Sequence, residues 1–317
     1  NFLSITQSLG KRAFSDSLIG MSAAIFLNAP CIPGPLLYPI KEIPKETWTK
    51  TTITQERKFK MHSQPKKNKN KKPVRLDADH VFRFNCYPGV PCFTQCCQDV
   101  TIVLTPYDVL RLKNALKISS DEFLDKYTII LSKENRLIPM VVLKMDEATK
   151  KCPFVTEQGC SIYEDRPWPC RMFPLDMNDE GTFSFIAESS RCLGLKEEQT
   201  WRISDWLIGQ GIPIYDEINA LFSEVTNPLR AGGLDIENPK IFKMVFMALY
   251  NLDKFREFVF KSTFLDRFEL DDLTIEKIKR GDLELLKFAF DWIKFGIFGQ
   301  KTFQVKQDKK QTLDKDK

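Results

Sequence analysis

Cys86, Cys92, Cys96 and Cys97 fall within the single run C-Y-P-G-V-P-C-F-T-Q-C-C, and Cys152, Cys160, Cys170 and Cys192 follow it. A free cysteine is usually a small buried hydrophobe used singly. Thiols gathered this closely have two common uses: they pair as disulfides, or they hold a soft metal as thiolates. The spacing is not that of a zinc ribbon, which shows two C-x2-C knuckles. In the adjacent pair Cys96-Cys97 the side chains diverge whether the backbone is strand or helix. The pair therefore serves two nearby ions, or only one of its members is a ligand. Pro88, Gly89 and Pro91 are turn formers that can fold the chain between Cys86 and Cys92 into a loop around an ion. Metal binding is the expectation, ahead of disulfides or inert packing.

The second block runs from Cys152 through G-C-S-I-Y-E-D-R-P-W-P-C-R-M-F-P to Cys192. Gln158-Gly159 predicts a tight turn that presents Cys160. Pro167 and Pro169 suit a first helical turn, which predicts Cys170 near a helix N-terminus, where the helix dipole lowers a thiol's pKa. A four-thiolate site around a divalent ion carries net negative charge. The guanidinium groups of Arg166, Arg171 and Arg191 are the expected counter-charges, with Arg166 and Arg171 the candidate cofactor-binding pair. The plainer alternative is that these arginines bind surface carboxylates and Pro167 stops a strand. Neither cysteine block looks self-sufficient, so the expectation is shared sites drawing ligands from both.

Taken together, the cysteine order, "LTPYDVLRLK", "CPF" and "GCSIYEDRPWPCRMFPL" resemble the YkgJ-type cysteine-cluster proteins over about residues 80–195. That family is described as zinc- or iron-chelating, with a C-x2-C-x2-C-C signature. Some relatives are iron–sulfur oxidoreductases, and the flagellin lysine N-methylases carry a similar cluster. The spacing Cys86-x5-Cys92-x3-Cys96-Cys97 is looser than the named signature. The resemblance implies zinc or iron as cofactor, including an iron–sulfur cluster, and it implies no particular reaction.

The elements that must position these residues read as follows. Val100–Leu104 is β-branched and predicts a strand. Thr105-Pro106-Tyr107-Asp108 starts a helix over 106–117, with Thr105 as N-cap and an acid in its first turn. Ser119 to Glu122 is a capping box opening a second helix over 120–130. Leu137-Ile138, Met140–Met145 and Thr182–Ile186 predict further strands. These strands are too few and short for a doubly wound sheet. The expected fold is α+β: a small cysteine-rich metal-binding domain at 80–195, then an all-helical region at 196–300. In the latter, Asn238-Pro239 and Asp282 open apolar helices, and twelve of the 25 phenylalanines lie in 201–300. An ordinary helical core explains them; a hydrophobic surface for a protein partner is the alternative.

The flanks differ. Residues 1–79 read as a weakly ordered segment and 301–317 as a disordered tail. Lys11-Arg12 and Leu18–Leu27 resemble the charged and apolar parts of an export signal, but the apolar run is short and interrupted. A natural start at Met61 is the plainer alternative to an export signal, and Cys31 is expected to be no ligand. Pro65 to Pro73 holds five lysines without an interleaved aromatic, which reads as a solvated linker and argues against nucleic acid as a partner. No apolar run of 18 residues is present, which argues against a membrane span.

The 317 residues lack a G-x-G-x-x-G after a strand and a G-x4-G-K-[ST] loop, which argues against standard dinucleotide and P-loop sites. Cys92-x3-Cys96 begins like a radical-SAM motif, but Asp99 stands where its third cysteine belongs. His62 and His80 both precede the cluster, which gives a Cys–His nucleophile little support; His80 is a possible ligand that eight cysteines leave redundant. If chemistry occurs, Asp108, Tyr163, Glu164 and Asp165 are the candidate proton carriers. Three classes of function stay open: a metal or iron–sulfur protein with redox or group-transfer chemistry, a fold stapled by metal, and an interaction protein using its helices. Thiols kept as ligands fit a cytoplasmic protein.

Overall fold

The computed structural model describes residues 75–131, 139–178, 180–231 and 239–306, the side chains of 229–231 excepted. The expectations for residues 1–74, including Cys31, Met61, His62 and the lysine run, lie outside these residues. So do those for Leu137-Ile138 and 307–317.

β1 (Val81–Arg83) leads into the cysteine loop, which ends in a 3-10 turn at Gln95–Cys97. β2 (Val103–Leu104) and α1 (Pro106–Leu116) follow. The strand is shorter than its β-branched run suggested, because Asp99, with φ 53, turns the chain just before it. The start of α1 is the expected one. Thr105 Oγ1 accepts from the Asp108 N–H at 3.3 Å, and the Asp108 carboxylate accepts from the Thr105 N–H at 2.8 Å. These two bonds satisfy donors that a helix start otherwise leaves orphaned. Ser119 likewise accepts from the Glu122 N–H and opens α2 (Ser120–Tyr127). α2 stops short of residue 130 because Thr128-Ile129-Ile130 continue as β3 (Thr128–Leu131), which suits β-branched residues better than a helix does. β3 and β2 flank β4 (Met140–Leu143) in an antiparallel sheet.

β5 (Val155–Thr156) and β6 (Gly159–Cys160) form a hairpin closed through Gly159, whose φ of 114 suits glycine. α3 (Trp168–Met172) is short, and β7 (Leu175–Met177) pairs with β8 (Phe183–Phe185). β9 (Thr200–Arg202) then returns to pair antiparallel with β1, so the chain enters and leaves the cysteine-bearing segment at one place.

The rest is largely helical: α4 (Ile203–Gly209), α5 (Ile212–Ala231), α6 (Pro239–Tyr250), α7 (Leu252–Lys261), α8 (Phe264–Arg267), α9 (Asp272–Arg280) and α10 (Asp282–Phe298). A short pair, β10 (Phe268–Glu269) with β11 (Gln304–Val305), ties down its end. Residues 301–306 are therefore ordered and not part of a disordered tail. The polar composition of that stretch hides one anchor, Phe303, which is buried among the rings of Phe264, Phe288 and Trp292.

Small sheets followed by helices make this the mixed α+β fold expected. Its apolar interior has two parts. The larger joins α1, α2 and β4 to α5–α10, so that side chains on both sides of residue 196 pack together. The smaller gathers Phe82, Phe84, Met172, Leu175, Ile203 and Trp206 under the β1–β9 pair. Among the described residues no helix is long and apolar enough to cross a membrane.

Candidate metal centre

All eight cysteines from Cys86 to Cys192 carry free thiols. The fold brings the two sequence blocks together, and the thiols act on one another as two loose sets of four, with Cys96 and Cys97 interacting across the boundary between them.

The first, peripheral set comprises Cys86, Cys92, Cys96 and Cys192; Cys86 and Cys96 are exposed, whereas Cys192 is buried in the smaller core. Cys86 is pushed up to about 11, first by burial and then by the charges of Cys96, Cys192 and Cys92. Cys192 is raised by burial and by Cys92 and Cys96, against the N–H groups of Leu195 and Gly194, which favour its ionised form. The Leu193 N–H donates to Cys92 Sγ at 3.2 Å, and the Asn85 N–H donates to the Gly194 carbonyl at 3.0 Å. Gly194 sits so close to that strand that a Cβ there would stand 2.6 Å from the Asn85 carbonyl oxygen. These contacts lay the loop before Cys86 against the turn after Cys192.

The second set lies deeper and comprises Cys97, Cys152, Cys160 and Cys170. Cys97 is raised by the hydrogen bond it gives Cys96, then by burial, then by the charges of Cys96, Cys170 and Cys152. The Cys152 N–H donates to the Cys97 carbonyl at 2.8 Å, which fixes the two blocks side by side. Burial pushes Cys170 up to about 12, reinforced by Cys152, Cys160 and Asp108 and opposed by Arg166. The expected lowering of Cys170 by a helix dipole is thus reversed. α3 is a five-residue helix, and desolvation of the thiol outweighs any dipole so short a helix supplies. Burial also raises Cys152 and Cys160, with Arg166 favouring the ionised form of the latter.

Cys96 and Cys97 are the seam. The thiol of Cys97 hydrogen-bonds Cys96, drawing Cys96 down while Cys97 rises, so that one of the pair ionises at the other's expense. The two adjacent thiols thus meet, where neighbouring side chains were expected to diverge.

Several elements hold α3 in place, and most of them were not foreseen. Asp108 is fully buried; its carboxylate accepts from the Trp168 N–H at 2.9 Å while it also caps α1. One carboxylate thus caps two helices. Burial lifts it to about 6, against the hydrogen bonds from Thr105 and Trp168 and the charge of Arg171. Trp168 Nε1 donates to Asp216 of α5 at 2.8 Å, and the Tyr215 hydroxyl donates to the Arg166 carbonyl at 3.2 Å. Arg171 donates to the carbonyls of Arg166, Gln210 and Glu164, and its guanidinium lies 4.6 Å from the Tyr215 ring centre. Arg166 stacks over Tyr163 at 3.6 Å, and its field reaches Cys160 and Cys170. Asp216, Tyr215 and Gln210 carry no local signal in the sequence, because they reach the site only through the docking of α5.

The other candidates fall outside either thiol set. His80 is exposed, Tyr163 is half exposed, and Asp165 forms an ion pair with Arg111. Glu164 contributes its carbonyl to Arg111 and Arg171.

Each set supplies four soft donors; burial and neighbouring thiols oppose ionisation of Cys86, Cys97, Cys152, Cys160, Cys170 and Cys192, while Cys96 is drawn down by Cys97. A divalent cation removes both penalties at once, so the chemistry of the donors fits zinc or iron. The sets are gathered but not closed. Among the described residues no group of three or more Cys, His, Asp or Glu side chains is placed to hold a metal ion.

No curated protein and no solved structure matches the chain. Residues 85–200, which hold all eight of these cysteines, match the family model of the CxxCxxCC domain, described as a "Putative zinc- or iron-chelating domain".

Proposed function

We propose that residues 81–202 bind two zinc or iron ions, one through Cys86, Cys92, Cys96 and Cys192, the other through Cys97, Cys152, Cys160 and Cys170. The observation that carries this reading is that the fold lays the two cysteine blocks side by side, with the Cys152 N–H on the Cys97 carbonyl and the Leu193 N–H on Cys92 Sγ. The vicinal pair supports it, since Cys96 and Cys97 can each serve a different ion without straining one tetrahedron. Sets of four cysteines with no open position are the pattern of structural zinc. The role proposed is accordingly chelation that closes the fold between its two cysteine blocks, with no reaction assigned. Arg166 supplies a counter-charge to the deeper set. Thiolates kept for metal are stable in a reducing compartment, so the same reading places the protein in the cytoplasm.

Metal analysis of anaerobically purified protein tests this. The expected result is two equivalents of zinc or iron per chain, falling to one in Cys192→Ser. A colourless protein indicates zinc; a brown one absorbing in the visible indicates an iron–sulfur cluster on the same ligands. Protein free of both metals, with its cysteines paired as disulfides by mass spectrometry, would falsify the reading.

A further inference from the structure

The arm at 300–306 leaves α10, folds back on it and buries one side chain, Phe303; its other residues are exposed. The Phe303 ring meets five others edge to face: Phe264 at 6.2 Å, Phe268 at 5.7 Å, Phe288 at 5.0 Å, Trp292 at 5.9 Å and Phe295 at 5.7 Å. These five belong to α8, β10 and α10, and they also brace one another. Phe264 lies 4.7 Å from Phe268 and 5.0 Å from Trp292, and Phe268 lies 5.5 Å from Phe295. The pocket is thus built by other elements, and the arm fills it. The arm's further ties end on main-chain groups: the two-residue β10–β11 pair, the Lys306 N–H on the Arg267 carbonyl at 2.8 Å, and the Thr302 hydroxyl and Lys306 ammonium on the carbonyls of Asp291 and Leu265.

Backbone pairing with one pocketed side chain is how sheet edges take up extended peptides. Charge matches as well. The wall segment at 264–272 carries exposed Asp266, Glu269, Asp271 and Asp272 against one base, Arg267, whereas residues 300–306 carry Lys301 and Lys306 and no acid. The direction of the arm rests on one residue. Gly299 ends α10 at φ 65, with its N–H on the Phe295 carbonyl at 3.1 Å. A residue with a Cβ disfavours that turn, so that α10 runs on and carries the arm away from its own pocket. We propose that the pocket is a self-recognition site, which takes the 300–306 arm of a second copy in the way it takes its own, so that two chains exchange arms into a closed two-fold dimer. The short connection favours the chain's own arm, which makes the resident Phe303 the competitor that a second copy displaces. Bound metal plays no part in this exchange.

Two measurements on the full chain test it. A fluorescent peptide of residues 299–306 is titrated into Phe303→Ala, which lacks the resident ring. Saturable binding is expected, lost when the peptide's own phenylalanine is replaced by alanine, and about tenfold weaker in the unaltered chain, whose arm competes. Light scattering over a concentration series then compares the unaltered chain with Gly299→Ala, which should dimerise at about tenfold lower concentration because its turn is disfavoured. Excess peptide should dissociate that dimer. Peptide that fails to bind folded Phe303→Ala, or binds equally well without its phenylalanine, overturns the proposal. So does a Gly299→Ala chain that stays monomeric throughout, or a dimer that the peptide leaves intact, and this second measurement decides alone if Phe303→Ala does not fold.

Discussion

The helices at 239–298 and the cysteine loop at 85–98 are held by different means. The helices interlock through hydrocarbon: Val245, Leu249, Phe255, Leu285, Leu286 and Ile293 are fully buried, and rings from Phe255 to Phe303 contact one another repeatedly. Burying one such side chain is worth about 1.5–3 kcal/mol, so this region needs nothing beyond its own sequence. The loop has nothing comparable. It contributes one buried apolar side chain and a few hydrogen bonds, each worth about 0.5–1.5 kcal/mol net. Where apolar burial runs out, the free energy that orders the chain has to come from another source, and the thiols are the only clustered chemistry there.

This contrast can be broken or sharpened in several ways. The largest effect should follow Cys170→Ser. On the two-ion reading it deletes a ligand from a site whose ion would be worth on the order of 10 kcal/mol of folding free energy, so the deep metal should be lost. Hydrogen-exchange protection should then fall in α1 and α3 and also around Cys86–Cys97, because the Cys97 carbonyl is tied to Cys152. Unchanged protection at Cys86–Cys97 would show that the two blocks are independent knuckles. Next in size is Phe255→Ala on the other side of the comparison. It should cost about 3–5 kcal/mol in denaturant unfolding, yet metal analysis of the folded fraction should still find both ions. Loss of metal there would mean that the two regions are not held separately at all.

A smaller effect belongs to Asp108, which stands between them. Asp108→Ala strands buried donors on Thr105 and Trp168 and should cost about 1–3 kcal/mol. It should also speed release of the deep ion. Asp108→Asn keeps an acceptor for Trp168 and should restore much of the slow release, which a purely charge-based role would not allow.

The smallest effect is a pH dependence confined to the helices. Burial alone would raise the Asp282 carboxyl, but Lys113, Asn114 and Arg256 together hold it below its ordinary value. A carboxyl depressed in the folded state contributes stability that is complete above its unfolded pKa of about 4 and is lost as pH falls through the folded value. Urea unfolding between pH 6 and 3 should therefore show a decline below about pH 4 that Asp282→Asn removes. An identical decline in the variant would assign it to other carboxyls.

Much of the site could be read from residue types because its determinants are local. Thr105-Pro106-x-Asp108 announces its helix through capping chemistry, and Gln158-Gly159 announces its hairpin. What escaped was set by distance. Nothing near Asp108 in the chain says that its second oxygen meets Trp168, and nothing near Tyr215 or Asp216 says that α5 will lie against α3. The ionisation of Cys170 was misjudged for the same reason. The two prolines reveal a helix start, whereas the burial that outweighs it comes from residues far along the chain. Phe303 was lost in the polar tail because composition averages over a window in which one ring does the anchoring.

The pairing of β1 with β9, and of the Cys86–Cys96 loop with Cys192, also sets an order of events during synthesis. The deep set has all its sulfurs once Cys170 has left the ribosome. The peripheral set must wait for Cys192, roughly 1–4 s later at about 5–20 residues per second. During that interval three of its thiols are already exposed to the cell's metal ions and oxidants with their fourth partner not yet made. A nascent chain of this protein therefore passes through a state in which the sulfurs of one set are complete and those of the other are not.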